Sequence, residues 1–451
     1  MKIRNIAGYL PLFLLFVSLI FALFYDFKYS LNIPIADQWT MIKHLNKLDF
    51  NYLWASHNEH IIFFPKLIFF ILAKLSHWNI KWEIMLGFLL FSAIMSFLYY
   101  SLIVNKNNTE NNTPEKLIVG GLLLIFCTPL HYQNWLWGWQ IQILLSTLAS
   151  IIAFYLLSNM GRGSKPRLLE LCIIIISLIV AGFSFFTGLI AGFIALLMAG
   201  YLCLRRRINW LIFVVIAATF LAVLISYFNT LHGSAHMNLN LIQLLSMTAF
   251  ILTYLGVVFS SARTGSSLFL IRSAEIFAFI SGSLFMAITI IVLVKNIGPI
   301  IRKNAEKDNL FYSISLLLFG LIVGISLSAG RENFGLSAAL SSRYRIFNMF
   351  FILGLANLVF FDGRLNKMLN YKIIKGFLVM IFAMVYIFNW IIGIEIGNGW
   401  IAKYSVLTRL DSISIDHVPS DYVGGISKED LINDLKILKQ DKLAAYNNKS
   451  K

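Results

Sequence analysis

Charge is what this chain has least of. Asp, Glu, Lys and Arg make up 13% of its 451 residues, against about a quarter in a soluble domain, while 59% are hydrophobic. That imbalance excludes an ordinary soluble fold and reads as an all-α polytopic membrane protein. Cysteine is scarce as well. Cys127, Cys172 and Cys203 all lie in or beside apolar runs with no C-x-x-C spacing, so neither a disulfide framework nor a zinc site is expected. No small-x-small cleavage site follows Tyr25, and the first apolar run is therefore expected to stay as a span. No nucleic-acid-binding module, internal repeat or Asp-x-Asp pair occurs.

What the chain does have is a series of apolar runs of spanning length, at 7–25, 84–104, 116–131, 141–158, 168–186, 188–204, 209–229, 273–294, 309–328, 344–361 and 372–393. Two further runs, 61–76 and 240–261, are decided by charge. With both left out, the basic clusters Lys2/Arg4, Lys106/Lys116, Arg162/Lys165/Arg167, Arg205–Arg207, Arg302/Lys303/Lys307 and Arg364/Lys367/Lys372 fall on one side, as the positive-inside bias requires. The net charge of +16 is thus a topology signal rather than a nucleic-acid footprint. The expectation is about eleven spans, N-terminus inside and tail outside. Residues 61–76 are expected to lie in the outer interface with Lys66 and Lys74 snorkelling, and 240–261 to be interfacial or re-entrant. Domain division follows: residues 1–393 form the membrane unit and 394–451 an outer tail. In that tail Ser427 precedes Glu429 and Asp430 like a helix cap, with Leu431, Leu435 and Leu438 at helical spacing.

Polar residues gather just outside the first span. Asp37-Gln38-Trp39 is followed by His57-Asn58-Glu59-His60 and Phe64-Pro65-Lys66-Leu67. Acids at a membrane face tend to mark function. A carboxylate at Asp37 suits a general base on a sugar hydroxyl, although Asp is also a favoured cap for a helix over 38–48. Glu59 is the second candidate carboxylate, and spacing alone does not choose between the two. His57 and His60 invite a metal, but His-x-x-His without another paired ligand is thin support. Glu59 and His60 read better as sugar-binding or supporting groups. No cofactor is implied, and a divalent metal stays open.

Arginines that break the charge bias are the next signal. Arg263, Arg272, Arg331, Arg343 and Arg345 fall outside, where few are expected, and arginine suits bidentate binding of phosphate. Arg331, Arg343 and Arg345 are the candidates for a polyprenyl-phosphate headgroup; the plainer alternative is anchoring of helix ends to anionic lipid. The missing Asp-x-Asp agrees with a monophosphate donor rather than a nucleotide-sugar diphosphate. The stretch His131–Gln142 is dense in indoles and amides, so Trp137, Trp139 and Gln140, with Trp39, are candidates for holding an acceptor glycan. An interfacial aromatic belt is the competing reading.

An acid in the first outer loop, interfacial helices after it and later outer arginines resemble the membrane glycosyltransferases of GT-C architecture. Within that class the strings Ala36-Asp37-Gln38-Trp39, Asn58-Glu59-His60, Phe64-Pro65-Lys66-Leu67 and Trp137-Gly138-Trp139-Gln140 look like bacterial serotype-converting O-antigen glucosyltransferases. Relatives often carry arginine after the Asn-Glu-His, where this chain has Ile61. The resemblance implies a multi-pass protein of the bacterial inner membrane with its active site facing the periplasm. It also implies an undecaprenyl-phosphate sugar as donor, lipopolysaccharide O-antigen or a lipid-linked glycan as acceptor, and a companion donor synthase and flippase. Asp37 would deprotonate the acceptor hydroxyl for an inverting attack. The rivals are an O-antigen polymerase, expected to depend on arginines in two large outer loops, and a flippase or transporter, expected to show repeats and mid-membrane charge.

Overall fold

The computed structural model describes residues 6–45, 49–104, 113–161, 167–230, 240–260, 268–301, 310–361, 372–410 and 418–447. Of the charges singled out above, Lys2, Arg4, Lys106, Arg162, Lys165, Arg263, Arg302, Lys303, Lys307, Arg364 and Lys367 lie outside these residues. The chain is built from helices: α1 (Ile6–Tyr29), α2 (Phe50–Trp54), α3 (Phe63–Ser76), α4 (Ile80–Tyr99), α5 (Thr113–Phe126), α6 (Tyr132–Leu136), α7 (Ile141–Gly161), α8 (Leu168–Gly182), α9 (Thr187–Leu204), α10 (Trp210–Thr230), α11 (Leu241–Leu255), α12 (Leu268–Ile301), α13 (Leu310–Arg331), α14 (Arg345–Phe361), α15 (Lys372–Tyr404) and α16 (Lys428–Gln440). The strands β1 (Ser56–His57) and β2 (His60–Ile61) form one small antiparallel hairpin.

Among the described residues eight helices are long and apolar enough to cross a membrane, or nine if Lys116–Phe126 and Pro129–Leu136, bent by 48°, make one broken span. Their outward faces are apolar too: Phe13, Phe16, Phe24, Phe228 and Phe388 are all exposed. A surface of that kind needs lipid against it, and the chain is an all-α polytopic membrane protein. The expected span at 168–186 is instead the 15-residue α8, broken by the turn at Phe183–Phe186. At ~1.5 Å per residue it reaches only ~22 Å, short of a hydrocarbon core of ~30 Å. The run at 344–361 is the 17-residue α14, which begins on the buried Arg345. Residues 241–255 form a 15-residue apolar helix, also below spanning length.

Apolar side chains gain little from leaving lipid for protein, so polar contacts between helices carry more of the packing. Ser18 Oγ and Tyr386 Oη lie 2.8 Å apart between α1 and α15, and Tyr25 Oη donates to the Gly393 carbonyl at 2.9 Å. Ser146 Oγ of α7 donates to the Ala181 carbonyl of α8 at 3.0 Å, and Tyr227 Oη of α10 to the Gly182 carbonyl at 2.8 Å.

Two expectations about position change. Lys66 does not snorkel: it is buried, and its Nζ donates to the Tyr52 and Ala55 carbonyls at 2.7 Å each. A cation suits the C-terminus of a short helix such as α2. Burial lowers its pKa to about 8. The boundary at 393–394 falls inside the continuous helix α15, which runs on to Tyr404. The tail beyond it folds back. Ser427 accepts from the Asp430 N–H at 3.1 Å to cap α16, and Leu431, Leu435 and Leu438 are buried in the main core.

Candidate functional site

The segment after α1 is held from several directions. Asn32 Oδ1 accepts from the Ile80 N–H at 2.8 Å, and a 3-10 helix then runs over Ala36–His44. Gln38 works on both sides of it. Its Oε1 accepts from the Ile35 N–H at 3.1 Å, and its Nε2 donates to Glu83 Oε2 at 2.6 Å. Glu83 Oε1 takes a second bond, from Trp78 Nε1 at 2.8 Å, so one fully buried carboxylate ties the first loop to the start of α4. Gly138 lies directly on this junction, where a Cβ would stand 2.6 Å from Glu83 Oε2. Trp137 Nε1 donates to the Ile35 carbonyl at 3.1 Å, and Trp39 is completely buried.

This scaffold leaves Asp37 for other work. The N-terminal turn is served by Gln38, and Asp37 contributes only its main-chain carbonyl, to Thr40 Oγ1 at 2.7 Å. The alternative role, capping a helix over 38–48, is therefore absent, and Ile35 takes the cap position. The Asp37 side chain is 32% exposed, and its Oδ2 lies 3.7 Å from His57 Nε2.

The hairpin explains why two histidines flank an acid. His57 and His60 are directly paired across β1 and β2, which puts both imidazoles on one face. Asn58, with φ of 51°, and Glu59 make the turn, and Glu59 projects outward with its side chain 71% exposed. His57 meets the Trp139 ring at 5.1 Å, and Trp139 stacks on Phe69 at 5.1 Å. His60 packs between Phe185 at 4.4 Å and Phe186 at 5.1 Å. Burial pushes the His60 pKa down to about 4, against the opposing pull of Glu59; the positive charge of Arg331 reaches it and lowers it further. Among the described residues no group of three His, Cys, Asp or Glu side chains is arranged to hold a metal ion.

The three candidate arginines divide. Arg345 is buried and committed: Nη1 donates to the Val257 carbonyl at 2.9 Å, and Nη2 donates to the Ser260 carbonyl. Those bonds satisfy backbone just beyond α11, so Arg345 is a structural brace rather than a phosphate ligand here. Arg331 ends α13 with its guanidinium 5.7 Å from the Phe334 ring centre, and Arg343 stands 5.0 Å from that of Tyr344. Gln133 Oε1 fixes the Arg343 segment, accepting from Ser342 Oγ at 2.8 Å and the Arg343 N–H at 3.3 Å.

The glycan-holding role expected of Trp39, Trp137, Trp139 and Gln140 does not fit their burial. Each is at most 7% exposed, and they wedge the first loop against α4 and α7 rather than offering a face to a sugar. Their indoles fill the space between short irregular segments, where large apolar side chains stabilise most. From the same string Tyr132 and Gln133 are the residues that border open space, in a cavity of about 580 Å³ with Glu395, Trp400, Lys403, Asp421 and Tyr422.

The tail completes the site. Gly424, with φ of 67°, lies against the Ala36–Asp37 peptide; a Cβ there would stand 2.8 Å from the Ala36 carbonyl oxygen. Lys43 pairs with Asp430 of α16. Glu83 and Gly424 are not among the residues singled out by the sequence pattern, and His57 enters there only as a metal candidate. The signal for Glu83 was present, as an acid in the first turn of a spanning helix. No protein-family model matches the chain, and comparison with curated proteins and with solved structures finds no significant similarity. Fold and site together define a polytopic helical membrane protein with an acid–imidazole pair in its first connecting loop.

Proposed function

We propose that the chain is a polyprenyl-phosphate-sugar-dependent glycosyltransferase of GT-C-like architecture. It adds a hexose, glucose by the resemblance, to O-antigen or a related surface glycan at the periplasmic face of the bacterial inner membrane. The observation that carries this reading is the Asp37 carboxylate, excused from capping, partly open and 3.7 Å from His57 Nε2. A base positioned by neighbours that are themselves locked in place is what an activated hydroxyl requires.

In this scheme Asp37 takes the proton of an acceptor hydroxyl. The oxygen attacks the anomeric carbon of the donor from the face opposite the phosphate, and the carbon–oxygen bond to phosphate breaks with inversion. His57 orients Asp37 and steadies its charge. Arg331 and Arg343 oppose the charge that develops on the departing polyprenyl phosphate. Arg345 maintains the backbone beneath them. A donor synthase and a flippase supply the lipid-linked sugar.

Mass spectrometry of O-polysaccharide from cells expressing wild-type or Asp37→Asn chain tests the reading. One added hexose per repeat with wild type alone supports it. An unchanged repeat mass with altered chain length favours a polymerase instead.

A further inference from the structure

With the indoles of the 135–139 segment buried, an acceptor needs another surface, and the cavity of about 580 Å³ beside α15 has the right chemistry. Its size is typical of a small-molecule site. Tyr132 and Tyr422 supply half-buried aromatic walls from two separate parts of the chain. Trp400, itself buried, backs Tyr132 edge-on at 5.8 Å between ring centres and fixes that wall. Lys403 pairs with Asp421 at 3.1 Å and stands 4.7 Å from the Tyr422 ring centre, while Glu395 adds a second carboxylate.

That mixture selects a ligand class. Carboxylates outnumber the ammonium group two to one on the lining, which disfavours a phosphate. Hydroxyl-rich neutral rings fit both features: their C–H faces lie on aromatic rings, and their hydroxyls donate to carboxylates and accept from the ammonium. Two lining segments are also tied to the proposed chemistry. Gln133 holds the Arg343 segment, and the turn that carries Asp421 and Tyr422 continues into Gly424, which touches the Ala36–Asp37 peptide.

We propose that this cleft is the acceptor subsite, taking uncharged hexose units of a glycan through Tyr132, Tyr422 and the Lys403–Asp421 pair. The choice of glycan as ligand rests on the glycosyltransferase reading.

The test uses the full-length chain in phosphatidylethanolamine–phosphatidylglycerol nanodiscs. The probes are a panel of soluble O-polysaccharides with neutral hexose repeats, measured by biolayer interferometry. Binding to at least one member is expected, weakened at least tenfold by Tyr422→Ala and by Asp421→Ala. It is kept by Trp210→Ala, which removes an exposed tryptophan outside the cleft. The Asp421 side chain is 65% exposed, so its variant probes the cleft without disturbing the core. Wild-type chain that binds no panel member, binding unchanged in both cleft variants, or binding displaced by undecaprenyl phosphate would each overturn the subsite. Transfer from undecaprenyl-phosphate glucose is scored separately. Glycan binding in the cleft without any transfer removes the transferase reading alone, whereas full transfer by both cleft variants removes the subsite alone.

Discussion

His57 Nε2 faces Asp37 Oδ2 across 3.7 Å, joining a hairpin tip to a 3-10 turn twenty residues earlier in the chain. The pair depends on two independent anchors, Trp139 behind His57 and Gln38 beside Asp37. Under the proposed mechanism Asp37→Asn lowers transfer by ~100-fold or more, within the range for a positioned proton-transfer group, and His57→Gln, which removes only an orienting contact, by ~10-fold. Neither change alters the thermal midpoint appreciably, because Asp37 is partly exposed and glutamine keeps most of the His57 volume. Radiolabelled sugar transfer in nanodiscs, read beside thermal unfolding, checks both halves.

Glu83 bears on stability more than on chemistry. Its two oxygens receive Gln38 and Trp78 in a fully buried setting. Glu83→Ala strands two buried donors and is expected to cost about 2–4 kcal/mol, with Ala36–His44 losing its seat. Hydrogen exchange should show faster exchange across 36–44 in this variant. Unchanged protection there would remove Glu83 as the organiser of the loop.

The arginines separate by what they already bind. Arg345→Ala is expected to reduce the yield of folded protein, because the Val257 and Ser260 carbonyls lose a buried partner. Arg331→Ala leaves folding intact and lowers transfer by ~10²–10³-fold if it opposes charge on the leaving phosphate. Size-exclusion profiles and single-turnover rates distinguish the two patterns.

Gly424→Ala tests whether the tail belongs to the site. The left-handed backbone and the nearby Ala36 carbonyl oxygen both resist a methyl group, at a cost of about 1–3 kcal/mol in tail docking. Limited proteolysis should cut the 424–447 region sooner, and transfer should fall with it.

Acid sensitivity follows from His60. Its folded pKa of about 4 lies below the ordinary imidazole value of 6.5, so the unfolded chain takes up a proton first as pH falls. Stability contributed by the neutral ring is full above pH 6.5 and declines as pH drops toward 4, by about 2–3 kcal/mol. Thermal midpoints between pH 4 and 7 should show this slope in wild type and a flatter one in His60→Phe. Asp434 has the opposite sign. Burial raises its pKa to about 6 despite Lys43, so docking of α16 weakens as pH rises from 3.8 through 6. Asp434→Asn is expected to remove that loss.

Hydropathy alone determined the class of this protein, because the preference of each residue for lipid or water is a local property that survives in the linear order. The acid-bearing first loop and the Ser427 cap were legible for the same reason, being short-range patterns. Span count was less so, since a turn such as Phe183–Phe186 can end a helix inside an unbroken apolar run. Tertiary structure decided the rest. Whether an indole lies open or buried, whether Asp37 caps a helix or meets His57, and whether Arg345 meets backbone all depend on packing between distant segments. The cavity that joins Tyr132 to Trp400 and Tyr422 is of the same kind. Nothing near those residues in sequence records such pairings; they exist only once the helices have packed and the backbone groups they expose have found partners.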